Sequence, residues 1–182
     1  MRLKNKIAII TGSQRGIGLG IAEEMAKEGA NVVISDLDQK DCEKVCQSLE
    51  KKYKIKTLAV KCDVSKKSEI DDLIEQTITK FKRIDILVNN AGIVRFGSLL
   101  QKTEKEWDAT LDINLKSVFL CTQAAAKYMV KQKSGKIISL ASIAGMVGFE
   151  NVADYCASKG GIINLTKELA LELAKYNINV NA

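Results

Sequence analysis

The sequence contains one pair of side chains whose spacing suits proton transfer. Tyr155 and Lys159 are four positions apart, so on a helix they share one face and their polar heads can converge on one substrate. A phenol ordinarily titrates near pH ~10, so it can protonate an alkoxide but is a poor base at neutral pH. A neighbouring ammonium group stabilises the phenolate and eases the reverse transfer. Because such a pair also arises by chance, its meaning depends on the residues around it.

A glycine-rich turn near the amino terminus is typical of a dinucleotide site. Residues 11–18 read Thr-Gly-Ser-Gln-Arg-Gly-Ile-Gly and lie between a predicted strand and a helical pattern that has Ile17, Ile21 and Met25 on one face. Glycines let the main chain turn tightly and approach a pyrophosphate, whose charge then meets the amino end of the helix. A purely structural turn is the alternative, but the position between strand and helix favours phosphate binding.

A carboxylate ends the second predicted strand. Asp36 comes eighteen residues after Gly18, close to the spacing at which an acidic side chain accepts hydrogen bonds from the ribose of a dinucleotide. The alternative is a helix cap, but Asp38, with Asp41 three residues further on, is better placed for that role. Asp36 is therefore predicted to bind the adenosine ribose.

The composition excludes several classes of function. The 182 residues contain no histidine, so Ser-His-Asp, Cys-His and His-containing zinc sites are excluded. The five cysteines are scattered, which argues against a disulfide framework or a thiolate metal site, and a reducing cytoplasm fits them best. The basic start precedes too short an apolar run for a signal peptide, and no segment approaches membrane-spanning length. A cytoplasmic protein without metal or membrane contact is expected.

The net charge of +6 raises the possibility of nucleic-acid binding. The lysines, however, cluster where helical patterns end, at residues 51–54, 80–83 and 131–133, and cations there complement the dipole of the helix carboxyl end. Aromatic residues are too sparse for a base-stacking platform. No nucleic-acid partner is therefore expected.

The pattern of apolar residues alternates between strands and helices along the chain. Six short β-branched runs predict strands, at Ile7–Ile10, Val32–Ser35, Thr57–Cys62, Ile84–Val88, Lys136–Leu140 and Ile178–Val180. Apolar strands that alternate with helices indicate a Rossmann-like α/β fold, a doubly wound parallel sheet covered on both faces, in a single domain over residues 1–182. Ligands of such sheets bind outside the carboxyl ends of the strands.

These motifs together resemble the short-chain dehydrogenase/reductase family, from Lys6 to Ala182. The matching residues are Thr11-Gly12-x3-Gly16-x-Gly18, Asp63-Val64, Asn89-Asn90-Ala91-Gly92, Asn114, Ser142 and Tyr155-x3-Lys159, in family order and at family-like spacing. Within the family the sequence looks most similar to 3-oxoacyl-[acyl-carrier-protein] reductases and to small NAD-linked sugar, polyol and acetoin dehydrogenases.

The resemblance implies an NAD(P)-dependent oxidoreductase that interconverts a secondary alcohol and a ketone, with the hydride supplied by the cofactor. By this resemblance Tyr155 is the acid/base and Lys159 binds the nicotinamide ribose. Ser142 hydrogen-bonds the carbonyl oxygen of the substrate, and Asn114 positions a water behind Lys159. Ordinary alternatives are a strand-end cap for Ser142, a core amide for Asn114 and packing for Tyr155. The implied cofactor-binding residues are Gly12, Ser13, Gln14, Arg15, Gly16, Ile17, Gly18, Asp36, Leu37, Asp63, Val64, Asn90, Ala91, Gly92, Tyr155 and Lys159.

Two residues favour opposite cofactors. Arg15 could attract the 2′-phosphate of NADP, whereas the Asp36 carboxylate would repel it. The repulsion is on the order of 4 kcal/mol at about 4 Å and an effective dielectric of about 20. Solvent and side-chain movement reduce it to about 1–2 kcal/mol, which still gives about a tenfold preference. Arg15 can swing away, but Asp36 ends a strand and has little freedom to retreat. NAD is therefore expected over NADP.

The sequence stops at Ala182, where family members continue through a substrate-covering segment and a seventh strand. The chain is therefore expected to be a fragment that lacks that strand and segment at its carboxyl terminus, and a degenerate family member is the alternative. A carrier-bound carbonyl compound and a small polyol or hydroxyketone both remain as substrates, and a non-catalytic dinucleotide-binding protein is the alternative from another class. By resemblance, a homo-oligomer (dimer or tetramer) packs through the helices Glu104–Val130 and Ser158–Lys175.

Overall fold

The computed structural model describes residues 1–182. Six parallel strands form one sheet in the order β3-β2-β1-β4-β5-β6, which is the doubly wound arrangement that the sequence predicts. The strands are β1 (Ile7–Thr11), β2 (Asn31–Asp36), β3 (Thr57–Lys61), β4 (Ile86–Asn89), β5 (Gly135–Ser139) and β6 (Ile178–Asn181). Only β4 starts two residues later than predicted, because the main chain of Ile84 bonds to the Gln132 side chain instead of a neighbouring strand.

Six α-helices connect or follow the strands. They are α1 (Gly16–Lys27), α2 (Gln39–Tyr53), α3 (Lys67–Phe81), α4 (Glu104–Leu111), α5 (Ser117–Gln132) and α6 (Ala153–Ala174). A π-helical turn (Asp112–Lys116) joins α4 to α5, and a 3-10 turn (Ile143–Gly145) precedes α6. The last helix extends beyond the Ser158 bound of the predicted packing segment, because α6 begins at Ala153, after Val152, which offers no side-chain cap. It therefore contains Tyr155, as the spacing to Lys159 predicts. No helix is long and apolar enough to span a membrane.

Two apolar layers cover opposite faces of the sheet. Ile9 of β1 points into the layer formed with α3 and α5, while Ile10 points into the layer formed with α1 and α2. The prediction that both faces are covered is correct for β1, but it is wrong at β5, where buried and exposed residues alternate and Ile138 is 37% exposed. The α1/α2 layer reaches no further than β4, so one face of β5 and β6 stays open.

The buried face of α1 differs from the predicted one. Gly18, Ala22 and Ala26 are the buried residues of this helix, whereas Ile17 is 71% exposed. Small residues let α1 approach the sheet closely. A close approach is needed because the glycine turn that connects β1 to α1 is short. Ile17 instead lies at the edge of a cleft.

The lysine clusters lie at helix ends, as the sequence predicts. Lys54, Lys82 and Lys133 follow α2, α3 and α5 and adopt the left-handed conformation, with φ of 57°, 64° and 52°. The N–H of each lysine donates to a carbonyl of the preceding turn. Each of these helices is therefore followed by a lysine at the left-handed position where glycine is most common.

Candidate active site

A cleft of about 370 Å³ opens at the carboxyl ends of β1, β2 and β4, where the strand order reverses. Most of the predicted cofactor-binding residues line it. The lining comprises Gly12, Arg15, Ile17, Gly18, Asp36, Leu37, Cys62, Asp63, Val64, Asn90, Ala91, Gly92, Ile93 and Ile113. Sequence reasoning missed Cys62, Ile93 and Ile113, which contribute apolar walls and carry no motif of their own.

The glycine turn is fastened to the start of the β4 loop. The Asn90 amide donates to the carbonyl oxygens of Thr11 (2.9 Å) and Gly12 (2.8 Å). A Cβ at Gly18 would lie 2.2 Å from the Gly12 carbonyl oxygen and 2.5 Å from the Asn90 amide nitrogen, so no side chain fits there. The turn, α1 and the β4 loop therefore form one tightly packed unit.

Two polar residues of the turn have different positions. Ser13 is fully buried, and its hydroxyl donates to the Ile10 carbonyl (2.7 Å) and accepts from the Ser35 N–H (3.1 Å), so it shapes the turn from beneath. Gln14 donates its N–H to the Asp36 carboxylate (3.2 Å), and its Oε1 is buried without a hydrogen-bond partner. An unpaired buried acceptor of this kind usually meets a ligand or an ordered water.

Asp36, the last residue of β2, and Asp38 have different surroundings, and the predicted cap role of Asp38 is confirmed. Asp38 caps α2 by accepting from the Asp41 N–H at 3.0 Å. Asp36 accepts from the N–H groups of Leu37 (2.9 Å) and Gln14 (3.2 Å) and lines the cleft. A carboxylate has about four lone-pair positions, so Asp36 keeps acceptors for two ribose hydroxyls.

The amino end of α1 suits an anion. Arg15 precedes the helix without a side-chain cap, and no acidic residue lies in the first turn. The N–H groups of that turn are therefore free to meet a phosphate. Together with the unpaired Gln14 oxygen and the lone pairs of Asp36, this end of the cleft fits a dinucleotide.

Asp63 is held at the opposite wall of the cleft. Its Oδ1 accepts from the N–H (3.0 Å) and the hydroxyl (2.7 Å) of Ser65, and Lys66 lies 3.5 Å from its other oxygen. Burial alone would raise the pKa of Asp63, but these hydrogen bonds outweigh it and hold the pKa below its usual value. The carboxylate is therefore charged and fixed beside Val64.

Tyr155 and Lys159 lie on one face of α6, as predicted. The Lys159 Nζ is 5.5 Å from the centre of the half-buried Tyr155 ring, and it donates to the Leu140 carbonyl at the end of β5. Lys159 is only 6% exposed, and burial lowers the pKa of its ammonium group. A desolvated cation therefore lies next to the tyrosine ring.

Ser142 precedes the 3-10 turn that packs on α6. Its Oγ accepts from the Ala144 N–H (3.1 Å), so it is a cap, yet its own hydroxyl proton remains available. A Cβ at Gly145 would lie 2.6 Å from the carbonyl carbon of Lys159. Because glycine allows that approach, the turn brings Ser142 to the part of α6 that carries Tyr155 and Lys159.

Asn114 lies in the π-helical turn and is 1% exposed. Its Oδ1 accepts from the Ile93 N–H (2.8 Å), and its amide donates to the Ile93 carbonyl (2.8 Å) and to the Ser158 hydroxyl (3.2 Å). Ser158 in turn donates to the Tyr155 carbonyl (2.8 Å). The amide is thus satisfied, as the core interpretation requires, and it also ties the β4 loop to α6.

Sequence reasoning missed a buried ion pair beside the tyrosine. Lys102 lies 2.9 Å from the carboxylate of Asp154, the residue before Tyr155, and the two side chains are 6% and 0% exposed. Thr110 donates to the same carboxylate at 2.7 Å. The acidic residue is visible in the sequence, but the two donors are 52 and 44 positions away and follow no recognised spacing.

The family model described as short chain dehydrogenase matches residues 6–182. The chain belongs to the short-chain dehydrogenase family. It is therefore an oxidoreductase that acts on CH–OH groups with a nicotinamide dinucleotide, as the motifs predict. The non-catalytic alternative is set aside by this assignment.

Two curated relatives cover almost the whole chain. The 3-oxoacyl-[acyl-carrier-protein] reductase of Staphylococcus epidermidis is 42% identical over 179 residues, which are 98% of this chain and 73% of that protein. A (2S)-[(R)-hydroxy(phenyl)methyl]succinyl-CoA dehydrogenase subunit of Thauera aromatica is 40% identical over 181 residues, with 100% of this chain and 72% of that protein covered.

A solved structure confirms the architecture. NAD+-bound xylitol dehydrogenase superposes with a TM-score of 0.96 at 33% identity and covers 100% of this chain and 70% of that one. The chain thus has its sheet and helices in the same arrangement as the matching part of that enzyme.

Proposed function

We propose that the chain interconverts 3-hydroxyacyl and 3-oxoacyl thioesters, a 3-oxoacyl-[acyl-carrier-protein] foremost among them, with NAD as the preferred cofactor. The observation that carries the proposal is that Tyr155 and Lys159 lie on one face of α6 and that the turn after Ser142 packs against this helix. The cleft lined by Asp36 opens at the same edge of the sheet. Proton transfer and dinucleotide binding are thereby available at one edge of the sheet.

In this mechanism Tyr155 is the acid and base. During reduction its hydroxyl gives a proton to the oxygen of the former ketone, and during oxidation the phenolate takes that proton back. Ser142 donates a hydrogen bond to the same oxygen and orients the substrate. The bound nicotinamide supplies or accepts the hydride.

Lys159 supports the phenolate and holds the cofactor ribose. Its desolvated ammonium group lies beside the ring, where it would interact favourably with the negative charge that the phenolate carries during the reaction. One of its three protons goes to Leu140, which leaves two for ribose hydroxyls. Asn114 fixes this part of α6 through Ser158 and is the residue proposed to position a water behind Lys159.

The mouth of the site favours an acyl chain over a polyol. Two segments border α6, residues 96–100 of the loop after β4 and residues 143–149 before the helix, and we call them the apolar mouth. The loops that contain them are joined by a hydrogen bond from the Gly97 N–H to the Asn151 carbonyl (2.9 Å). Both present large apolar side chains to solvent, namely Phe96, Leu99, Leu100, Ile143, Met146, Val147 and Phe149. Exposed large apolar side chains on linked segments are typical of a binding region for apolar ligands.

The two curated relatives support a thioester. Both are named for compounds with an acyl group on sulfur, one on a carrier protein and the other on coenzyme A. Xylitol dehydrogenase, the structural neighbour, supports the polyol alternative at lower identity.

The choice of substrate is tested by reading reduced-nicotinamide absorbance. We expect acetoacetyl thioesters to be reduced with a kcat/KM at least about tenfold above that for oxidation of xylitol or acetoin, the difference that ~1.4 kcal/mol of extra binding produces. Xylitol as the better substrate would overturn the thioester proposal and favour the polyol alternative.

The cofactor choice has its own test. The Asp36 carboxylate is fixed by two N–H groups and would lie against a 2′-phosphate, so NAD should exceed NADP in kcat/KM by about tenfold. Asp36→Ala is expected to erase that ratio. A wild-type preference for NADP, or a ratio that the substitution leaves unmoved, would contradict the assignment.

We also propose that residues 1–182 act as one dinucleotide-binding domain that associates with copies of itself. Phe119 on α5 and Leu171 on α6 are exposed and support an interface through these helices. Light scattering coupled to size exclusion is expected to give a dimer or tetramer, and Leu171→Glu should lower the mass.

A further inference from the structure

The Lys102–Asp154 pair occupies a junction between three segments of the chain. Lys102 belongs to the loop after β4, Thr110 lies on α4, and Asp154 is in the first turn of α6. The ammonium group of Lys102 donates to both carboxylate oxygens (2.9 and 3.0 Å) and to the Arg95 carbonyl (2.9 Å). All three of its protons are therefore used within the protein.

The carboxylate also holds the helix that carries the tyrosine. Asp154 Oδ1 accepts from the Tyr155 N–H at 3.0 Å, and Val152, which precedes the helix, offers no side-chain cap. Asp154 therefore does the capping from within the first turn, where a negative charge also suits the helix dipole. Burial would raise the pKa of Asp154, but the hydrogen bonds from Lys102, Thr110 and the Tyr155 N–H keep the pKa below its usual value.

A buried ion pair contributes little to the stability of a fold, because both charges must be removed from water. Desolvating two charges offsets much of their attraction, and an apolar pair of similar volume is often equally stable. Fold stability alone therefore gives little reason to keep a lysine and an aspartate here. Their location next to Tyr155 gives a functional one.

We propose that Lys102 and Asp154 are positioning residues that set the orientation of Tyr155 and balance the charge next to it. Asp154 fixes the main chain of Tyr155, and Lys102 neutralises the carboxylate that would otherwise oppose formation of a phenolate one residue away. The same lysine ties the Arg95 end of the apolar mouth to α6. This inference rests on the proposed acid/base role of Tyr155.

The elements around the start of α6 carry other ionisable groups. On α6 these are Lys159 and the titratable thiol of Cys156, and on α4 Glu106 bonds to Thr103. The β4 loop adds Arg95, the turn before α6 adds Glu150, and the π-helical turn adds Asp112, which pairs with Lys116 at the surface. The 3-10 turn and the end of β5 carry no charge. Lys102 is therefore the only cation in contact with Asp154.

The experiment compares pH profiles of alcohol oxidation for three variants of the pair. Lys102→Met leaves the carboxylate without its counter-charge, so the alkaline profile should move up by about half a unit to one unit. Its kcat should fall about tenfold because Tyr155 is less well oriented. Asp154→Asn removes the negative charge and should show no alkaline shift. The double variant should return the profile to the wild-type position.

Controls separate this effect from general damage to the fold. Lys27→Met removes the lysine of an exposed ion pair with Glu24 on α1 and should leave the profile unchanged. Cofactor affinity should stay within about twofold in all variants, because neither residue of the pair lines the cleft. If Lys102→Met fails to fold, Thr110→Val removes one hydrogen bond to the carboxylate and should shift the profile the same way by less.

Either of two results would overturn the inference. One is an unshifted profile for Lys102→Met, or for Thr110→Val in its place. The other is an alkaline shift that persists in the double variant, since the charge that causes it would then be absent. Failure of the proposed function is distinguishable, because Tyr155→Phe would then keep its turnover.

Discussion

The cleft that we propose binds the cofactor and the face of α6 that we propose transfers the proton, called here the proton-transfer face, are built from different parts of the chain. The cleft relies on the main chain: a glycine turn, the amino end of α1, and Asn90 bonded to two carbonyl oxygens. The proton-transfer face relies on side chains, with Tyr155 and Lys159 on α6 and Ser142 on the adjoining turn. Cofactor binding in the cleft should therefore be impaired by substitutions that add side-chain atoms, and turnover at the proton-transfer face by substitutions that remove them.

The largest expected effect comes from removing a single oxygen on the proton-transfer face. Tyr155→Phe takes away the transferable proton and keeps the ring, so kcat should fall by about 10³. Dinucleotide affinity, measured by fluorescence titration on the same preparation, should stay within about threefold because the cleft is intact. Turnover close to wild type would remove Tyr155 from the acid/base role.

Lys159→Met should have the next largest effect, because this side chain serves both regions. We expect kcat to fall by about 10² and cofactor binding to weaken, since the proposed contact between Lys159 and the nicotinamide ribose would be lost with the charge. The residual oxidation rate should have a higher pH optimum because the phenolate has lost its neighbouring cation. An active variant with an unchanged pH profile would contradict this electrostatic role.

Gly18→Ala tests the opposite sensitivity in the cleft. The new Cβ would meet the Gly12 carbonyl oxygen at 2.2 Å, so the turn must move, at a cost of about 1–3 kcal/mol in the free energy of unfolding. Cofactor affinity should fall about tenfold, as measured by titration. Gly20→Ala on the same helix is the matched control, because its Cβ would meet no atom within 4 Å and should stabilise the helix.

The smallest expected effect lies outside both regions. Lys54 ends α2 in the left-handed conformation, which disfavours side chains, so Lys54→Gly should raise the free energy of unfolding by up to about 1 kcal/mol. Urea denaturation measures this change. Turnover and cofactor binding should remain at wild-type values, and a destabilised variant would show that the lysine side chain contributes more than its backbone costs.

The same comparison explains what the sequence could predict. The cleft is encoded by local signals, a glycine turn after a strand and an aspartate at the next strand end, and both lie where predicted. Asp38 could likewise be assigned as a cap from its neighbours alone. The convergence of Tyr155 and Lys159 could be predicted from the sequence because helical spacing is short-range and regular.

What could not be predicted depends on contacts between distant segments. Lys102 reaches Asp154 across 52 positions, and no spacing rule connects a loop to the first turn of a later helix. The π-helical turn at Asn114 interrupts a continuous helical pattern, and the open face of β5 depends on which helices cover the sheet. Only the assembled fold determines these features.

The position of β1 between β2 and β4 has a consequence for folding kinetics. Residues paired across β1 and β2 are 24 positions apart, as Ile7 and Asn31 are, whereas those paired across β1 and β4 are 78 apart, as Ala8 and Ile86 are. Closing the longer loop costs about 1 kcal/mol more in chain entropy, so that pairing should form later. Recovery of nucleotide binding should therefore follow the slow refolding phase, after the β1 and β2 amides have become protected from hydrogen exchange.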